Sequence, residues 1–80
     1  GALLTVAPNP ATSELSVNTS AMHGILRYEI MDLRGQLVQQ GSMNPGDRST
    51  VQLGTIANWS YQLRVTDTTG ERATARFVKL

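Results

Sequence analysis

Eighty residues make one small domain, a size that hides only roughly 60–65% of the surface its unfolded chain would expose. Seven basic and six acidic residues, scattered singly, give a net charge of +1 and no basic run of the kind that nucleic acid or anionic lipid selects. Cysteine is absent, which removes disulfides, thiolate nucleophiles and cysteine-ligated metals, and no apolar stretch is long enough to cross a membrane as a helix.

The chain opens at Gly1-Ala2 without methionine, and no basic segment followed by an apolar one marks a signal peptide. We therefore expect residues 1–80 to be a single domain cut from a larger protein, with Gly1 a cloning remnant. Leu3 to Ala7 is a short β-prone run halted by Pro8-Asn9-Pro10. Two prolines fix φ and remove two donors, so this motif is expected to be extended or polyproline-like and outside any sheet. Glu14 to Asn18 alternates, with Leu15 and Val17 inward, and Thr19 to Gly24 is a loop.

The middle of the chain carries the clearest signal. Leu26, Tyr28 and Ile30 alternate with Arg27 and Glu29, the period of two that a strand with one buried face requires. Asp32-Leu33-Arg34-Gly35 then reverses the chain. The aspartate can accept from the backbone two residues on, and the glycine suits a left-handed position; a type I turn followed by such a glycine is the common three-residue hairpin connection. Leu37 and Val38 begin the return strand, which is expected to fray over Gln39 to Met43. Asn44-Pro45-Gly46-Asp47 has proline second and glycine third, the arrangement of a type II turn.

Ser49 to Leu53 is the next strand, with Val51 and Leu53 inward, and Ile56 in the following connector plugs the end of the core. Trp59 to Asp67 is a long strand with Tyr61, Leu63 and Val65 inward. Asp67-Thr68-Thr69-Gly70 repeats the Asp-x-x-Gly turn, and Glu71 to Leu80 closes the chain with Ala73, Ala75 and Phe77 on one face. Strands at intervals of about ten residues, joined by hairpins of one chemistry, predict an all-β fold, a seven-stranded antiparallel Ig-like β-sandwich.

The residues able to do chemistry do not converge. His23 is the one histidine and lies in a loop without partners, whereas a catalytic or metal role needs several groups together. Asp32 and Asp67 are explained by their turns, and no cluster of oxygen ligands of the calcium-loop kind appears. No serine sits in a nucleophile elbow. Neither an enzymatic activity nor a cofactor is expected. Asn18-Thr19-Ser20 and Asn58-Trp59-Ser60 match the glycosylation acceptor pattern, which we read as chance. Trp59 is expected to lie as a lid over one end of the core; the alternative is an exposed aromatic platform for a sugar or a protein.

Pro8-Asn9-Pro10, the run Tyr28 to Val38 with its Asp-x-x-Gly-x-x-Val ending, the strand Tyr61 to Val65 and the terminal Arg76-Phe77-Val78-Lys79-Leu80 stand in an order that resembles one family. The chain is similar along its whole length to the type A C-terminal sorting domains of the type IX (Por) secretion system. One departure concerns Trp59, which stands where that family usually has a glycine, two residues before the tyrosine. An ordinary β conformation and a rebuilt corner are expected there.

The resemblance implies a sorting signal with no catalysis of its own. Such a domain follows a cargo through the periplasm, is read by the outer-membrane translocon and its shuttle proteins, and is usually removed by a sortase-like peptidase that attaches the cargo to the cell surface. It implies a secreted or cell-surface location and points to Arg76, Phe77, Val78, Lys79 and Leu80 as the segment the translocon reads. An exposed edge strand, the last one in particular, is expected to be open to strand addition by a partner. The alternative is a fibronectin- or Ig-like accessory or carbohydrate-binding module of a secreted enzyme, with Trp59 as its platform.

Overall fold

The computed structural model describes residues 2–80, with the side chains of residues 2–3 left aside. The strands are β1 (Ala2–Leu3), β2 (Thr5–Ala7), β3 (Glu14–Asn18), β4 (Leu26–Asp32), β5 (Leu37–Met43), β6 (Ser49–Gln52), β7 (Ser60–Thr66) and β8 (Arg72–Val78). They form two sheets, of order β1-β8-β7-β4-β5 and β2-β3-β6. The first β-prone run is one extended segment that serves both. Its start pairs parallel with β8 and its end antiparallel with β3, with the change of sheet at Leu4. Counting that run once gives the expected seven-stranded sandwich.

Alternation fills the space between the sheets. Leu15, Val17 and Val51 of the smaller sheet and Leu26, Ile30, Leu63 and Val65 of the larger are all essentially inaccessible to solvent. Tyr61 and Phe77 are cross-strand partners whose rings stack with centroids 5.7 Å apart, an offset aromatic pair at one end of the core. Leu53 is buried, and Ile56 packs against the same cluster as expected.

Both Asp-x-x-Gly turns form. Gly35 and Gly70 adopt φ of +83° and +88°, where a Cβ is strained. Asp32 Oδ1 accepts from the N–H groups of Arg34 and Gln36 at 2.9 and 3.0 Å. Asp67 Oδ1 accepts from the N–H groups of Thr69 and Glu71 at 2.8 and 3.0 Å.

Three local expectations are corrected. β5 does not fray after Val38. It pairs with β4 from Leu37 to Met43, because Gln39 reaches across to Tyr28 Oη and to the Gln52 carbonyl, and Gly41 leaves room for the Tyr28 ring opposite it. Polar side chains hold this strand in place of an apolar alternation. The Asn44–Asp47 segment is not a type II turn, since Gly46 lacks the positive φ that turn requires. Gly46 is held instead by buried Thr19, whose N–H donates to the Gly46 carbonyl at 2.8 Å while its hydroxyl accepts from the Gly46 N–H at 3.0 Å. The segment bends around that threonine. Finally, Pro8-Asn9-Pro10 is outside the sheets as expected, but it is not extended: its three residues form a bend.

Candidate functional site

Two features on the surface qualify as sites, and both involve the end of the chain. The first is the terminal strand. Arg76 is exposed, but Phe77 is in the core and Lys79 is largely covered, its ammonium donating to Asn58 Oδ1 at 3.3 Å. Val78 is half-buried, and Leu80 is exposed. The outer backbone edge of this strand is not free, contrary to expectation.

Its cover comes from residues 2–11. Ala2 and Leu3 pair with Ala73 and Thr74, and the Leu4 N–H donates to the Thr74 carbonyl at 3.2 Å. Next the side chain of Asn9 acts as a piece of strand: its Oδ1 accepts from the Val78 N–H at 3.0 Å and its Nδ2 donates to the Arg76 carbonyl at 3.4 Å. Ala11 then donates to the Val78 carbonyl at 2.7 Å and accepts from the Leu80 N–H at 2.8 Å. An amide side chain carries one acceptor and one donor group in the geometry of a peptide, which is why asparagine serves here. The Pro-Asn-Pro motif thus has a job in the fold, as the middle rung of a strap across β8.

The second feature is the end of the sandwich where the Asp32–Gly35 turn meets the Gly54–Trp59 connector. Trp59 is 61% exposed, so it is no lid. The Tyr61–Phe77 stack already closes that end of the core, and Trp59, one residue before β7, is left on the rim. Its φ is negative, as expected for a tryptophan in place of a glycine, and its carbonyl accepts from the Lys79 N–H at 2.9 Å. The side chain stands between two depressions. One, of about 790 Å³, lies between the turn and the connector, with Leu33, Val38, Ile56 and Tyr61 in its walls. The other, about 280 Å³, runs past Leu33 and Trp59 to Val78 and Leu80. Tyr61 Oη is engaged with the Ala57 carbonyl at 2.7 Å. The cleft therefore has mixed walls, the apolar side chains standing beside Asp32, Arg34, Thr55 and Asn58, with Arg34 on the turn paired to Asp32 at 3.4 Å.

Leu33 and Val38 were not singled out from sequence, yet both are exposed apolar side chains in this cleft. A signal was present. Leu33 is apolar inside a four-residue turn, and Leu37 and Val38 are consecutive, so both cannot face one core.

The second turn is a structural clasp. The Asp67 carboxylate accepts from Thr69 Oγ1 at 2.6 Å and, through Oδ2, from the His23 N–H at 3.1 Å. The Thr69 hydroxyl, with the backbone N–H groups of His23, Thr69 and Glu71, holds its pKa down to about 2 against the effect of burial. His23 is exposed and enters this contact through its backbone, its carbonyl accepting from Thr68 N–H and Oγ1. Asp32 is lowered too, mainly by the Gln36 N–H. Among the described residues no three histidine or acidic side chains converge on a metal position.

A chain whose terminal strand, Pro-Asn-Pro strap and paired turns make one unit matches the family model of the secretion system C-terminal sorting domain over residues 5–79. The chain belongs to this family. It is a C-terminal sorting signal of type IX secretion, and the match extends over nearly every element of both sheets. A search of the curated proteins finds no match. Membership implies a partner in the type IX machinery and a cargo that is secreted or displayed at the cell surface. The accessory-module alternative gains no support: Tyr61 and Phe77 are buried and Tyr28 is half-buried, so no second exposed aromatic flanks Trp59.

Proposed function

We propose that this sorting domain accompanies an N-terminal cargo through the periplasm, is recognised in folded form by the outer-membrane translocon and its shuttle proteins, and is then removed by a sortase-like peptidase as the cargo is fixed to the cell surface. The observation that carries this reading is the family match over residues 5–79. In this reading the domain contributes no chemistry. Its two turn aspartates are spent on backbone N–H groups, and its histidine side chain stands alone in solvent.

The test is a fusion of a signal peptide, a passive reporter and this domain, expressed in a host with the type IX apparatus and in one lacking it. Surface or medium reporter in the first host alone is the expected result. Periplasmic reporter in the competent host, where an established sorting domain on the same reporter is exported, overturns the reading. Deleting Arg76–Leu80 is a poor probe, since it removes core Phe77 and the partners of Asn9 and Ala11. Arg76→Ala and Leu80→Ser alter exposed side chains alone and ask whether the terminus is read directly.

A further inference from the structure

Strand edges in natural proteins are kept short, charged, interrupted by proline or covered, because an open edge is a template for another strand. Three of the four sheet edges here follow that rule. β1 has two residues, β2 has three and runs into Pro8, and β6 has four, with its Gln52 carbonyl occupied by Gln39 Nε2 at 2.7 Å. β5 follows it at one point alone, a bulge at Val38 where the register with β4 shifts. It has seven residues, Leu-Val-Gln-Gln-Gly-Ser-Met, with no charge and no proline, and among the described residues its sole strand partner is β4. The Trp59 cleft begins on this same strand, because Val38 belongs both to the β5 edge and to the wall that Trp59 shares.

We propose that the β5 edge and the Trp59 cleft are one recognition surface, at which a protein of the type IX machinery adds an extended, uncharged segment as a further strand of the larger sheet and seats an apolar side chain beside Trp59. The inference rests on the sorting reading and says where that signal is read. Main-chain pairing supplies affinity without demanding a sequence from the edge, while a pocket for one side chain supplies selectivity. An exposed tryptophan with aliphatic side chains beside it is the kind of anchor that dominates protein interfaces. The β5 edge itself, Leu37 to Met43, carries no charge for a charged segment to pair with. A second copy of the chain fits less well. Paired antiparallel about Gln40, it sets Gln39 against Gly41 and brings its own polar Ser42 to the bulge at Val38, where the cleft begins.

The export fusion tests this with the double variant Leu37→Lys, Val38→Lys on the edge, Trp59→Ala at the cleft and Thr50→Lys on β6 as control; all four side chains are exposed. The edge and cleft variants are expected to lower the exported fraction by about tenfold or more, the effect of losing an interface anchor. The control is expected to export as the parent does, and thermal melts of all four are to be taken alongside. Parental export of the edge and cleft variants overturns the surface while leaving the sorting reading intact. A parent fusion retained in the periplasm overturns the sorting reading, and this inference with it. A photo-crosslinking residue at position 37, in an otherwise unaltered domain, is the second measurement. An adduct identified by mass spectrometry as a component of the apparatus, absent when the crosslinker is at position 50, supports the proposal. No adduct, or one with a second copy of the fusion alone, overturns it.

Discussion

The turns Asp32–Gly35 and Asp67–Gly70 are the same local structure. In each the aspartate carbonyl accepts from the glycine N–H, at 3.0 and 3.1 Å, and the aspartate N–H donates to the residue after the glycine at 3.0 Å. Their surroundings differ. Asp67 is buried and its turn grips the His23–Gly24 loop through His23 N–H, His23 carbonyl and Thr68. The Asp32 turn makes its side-chain contacts within itself and projects Leu33 and Arg34 beside Trp59. One local code thus yields a clasp inside the fold and an exposed tip beside the cleft. What separates them is the long-range partner, which the four residues of the turn do not specify.

The largest effect that would break this comparison is expected at Gly24, where the loop meets the clasp. Its φ is +76°, and an added Cβ would collide with the Thr68 side chain. Gly24→Ala should cost roughly 2–4 kcal/mol, left-handed strain plus overpacking, measured by chemical denaturation. A wild-type midpoint would show that the loop does not depend on the clasp.

Asp67→Ala is expected to lower the melting temperature well beyond Asp32→Ala, because it leaves the N–H groups of His23, Thr69 and Glu71 without their acceptor. The same carboxylate predicts an acid limb. A group whose folded-state pKa is depressed stabilises above its unfolded value and loses that contribution as pH falls through the folded one. For Asp67 the window runs from 3.8 down to about 2. Melting temperature should fall across it in the parent and flatten in Asp67→Ala; equal acid limbs in the two proteins would remove Asp67 as the cause.

A smaller and equal pair of effects should sharpen the claim of local identity. Gly35→Ala and Gly70→Ala place a Cβ in open space at a left-handed φ, so each should cost roughly 1 kcal/mol from backbone strain alone. A difference of more than about 1 kcal/mol between them would mean that one turn feels its surroundings through the backbone.

The sequence made legible what is local and periodic. Both turns, the inward faces of β3, β4, β6 and β7 and the place of Ile56 follow from alternation and turn chemistry, and all are found. What it hid is non-local or polar. A two-residue parallel pairing of the chain's ends has no periodic signature, nor does an asparagine side chain standing in for a strand between Arg76 and Val78. Gly46 follows proline in a pattern that suits a type II turn, yet Thr19, far back in the chain, decides its conformation. Position in the chain does not tell a lid from an exposed platform at Trp59; the Tyr61–Phe77 stack fills that end of the core and leaves Trp59 outside. The family motif was visible in sequence; the reason for its Pro-Asn-Pro was not.

The smallest expected effect lies at Arg34, and it tests whether the exposed tip is stabilised by its own ion pair. Arg34 Nη2 reaches Asp32 Oδ2 at 3.4 Å, with 78% of the arginine side chain exposed. Water and salt screen such a pair, and holding a long side chain in place costs rotamer entropy, so exposed pairs contribute little. The turn has its own support in the Arg34 and Gln36 N–H groups, which a change of the Arg34 side chain leaves in place. Arg34→Ala should therefore shift the melting temperature by no more than about 2 °C, at low and at high salt alike. A larger, salt-sensitive loss would make the ion pair a structural part of the tip, and the two turns would then differ in how they are built as well as in what they hold.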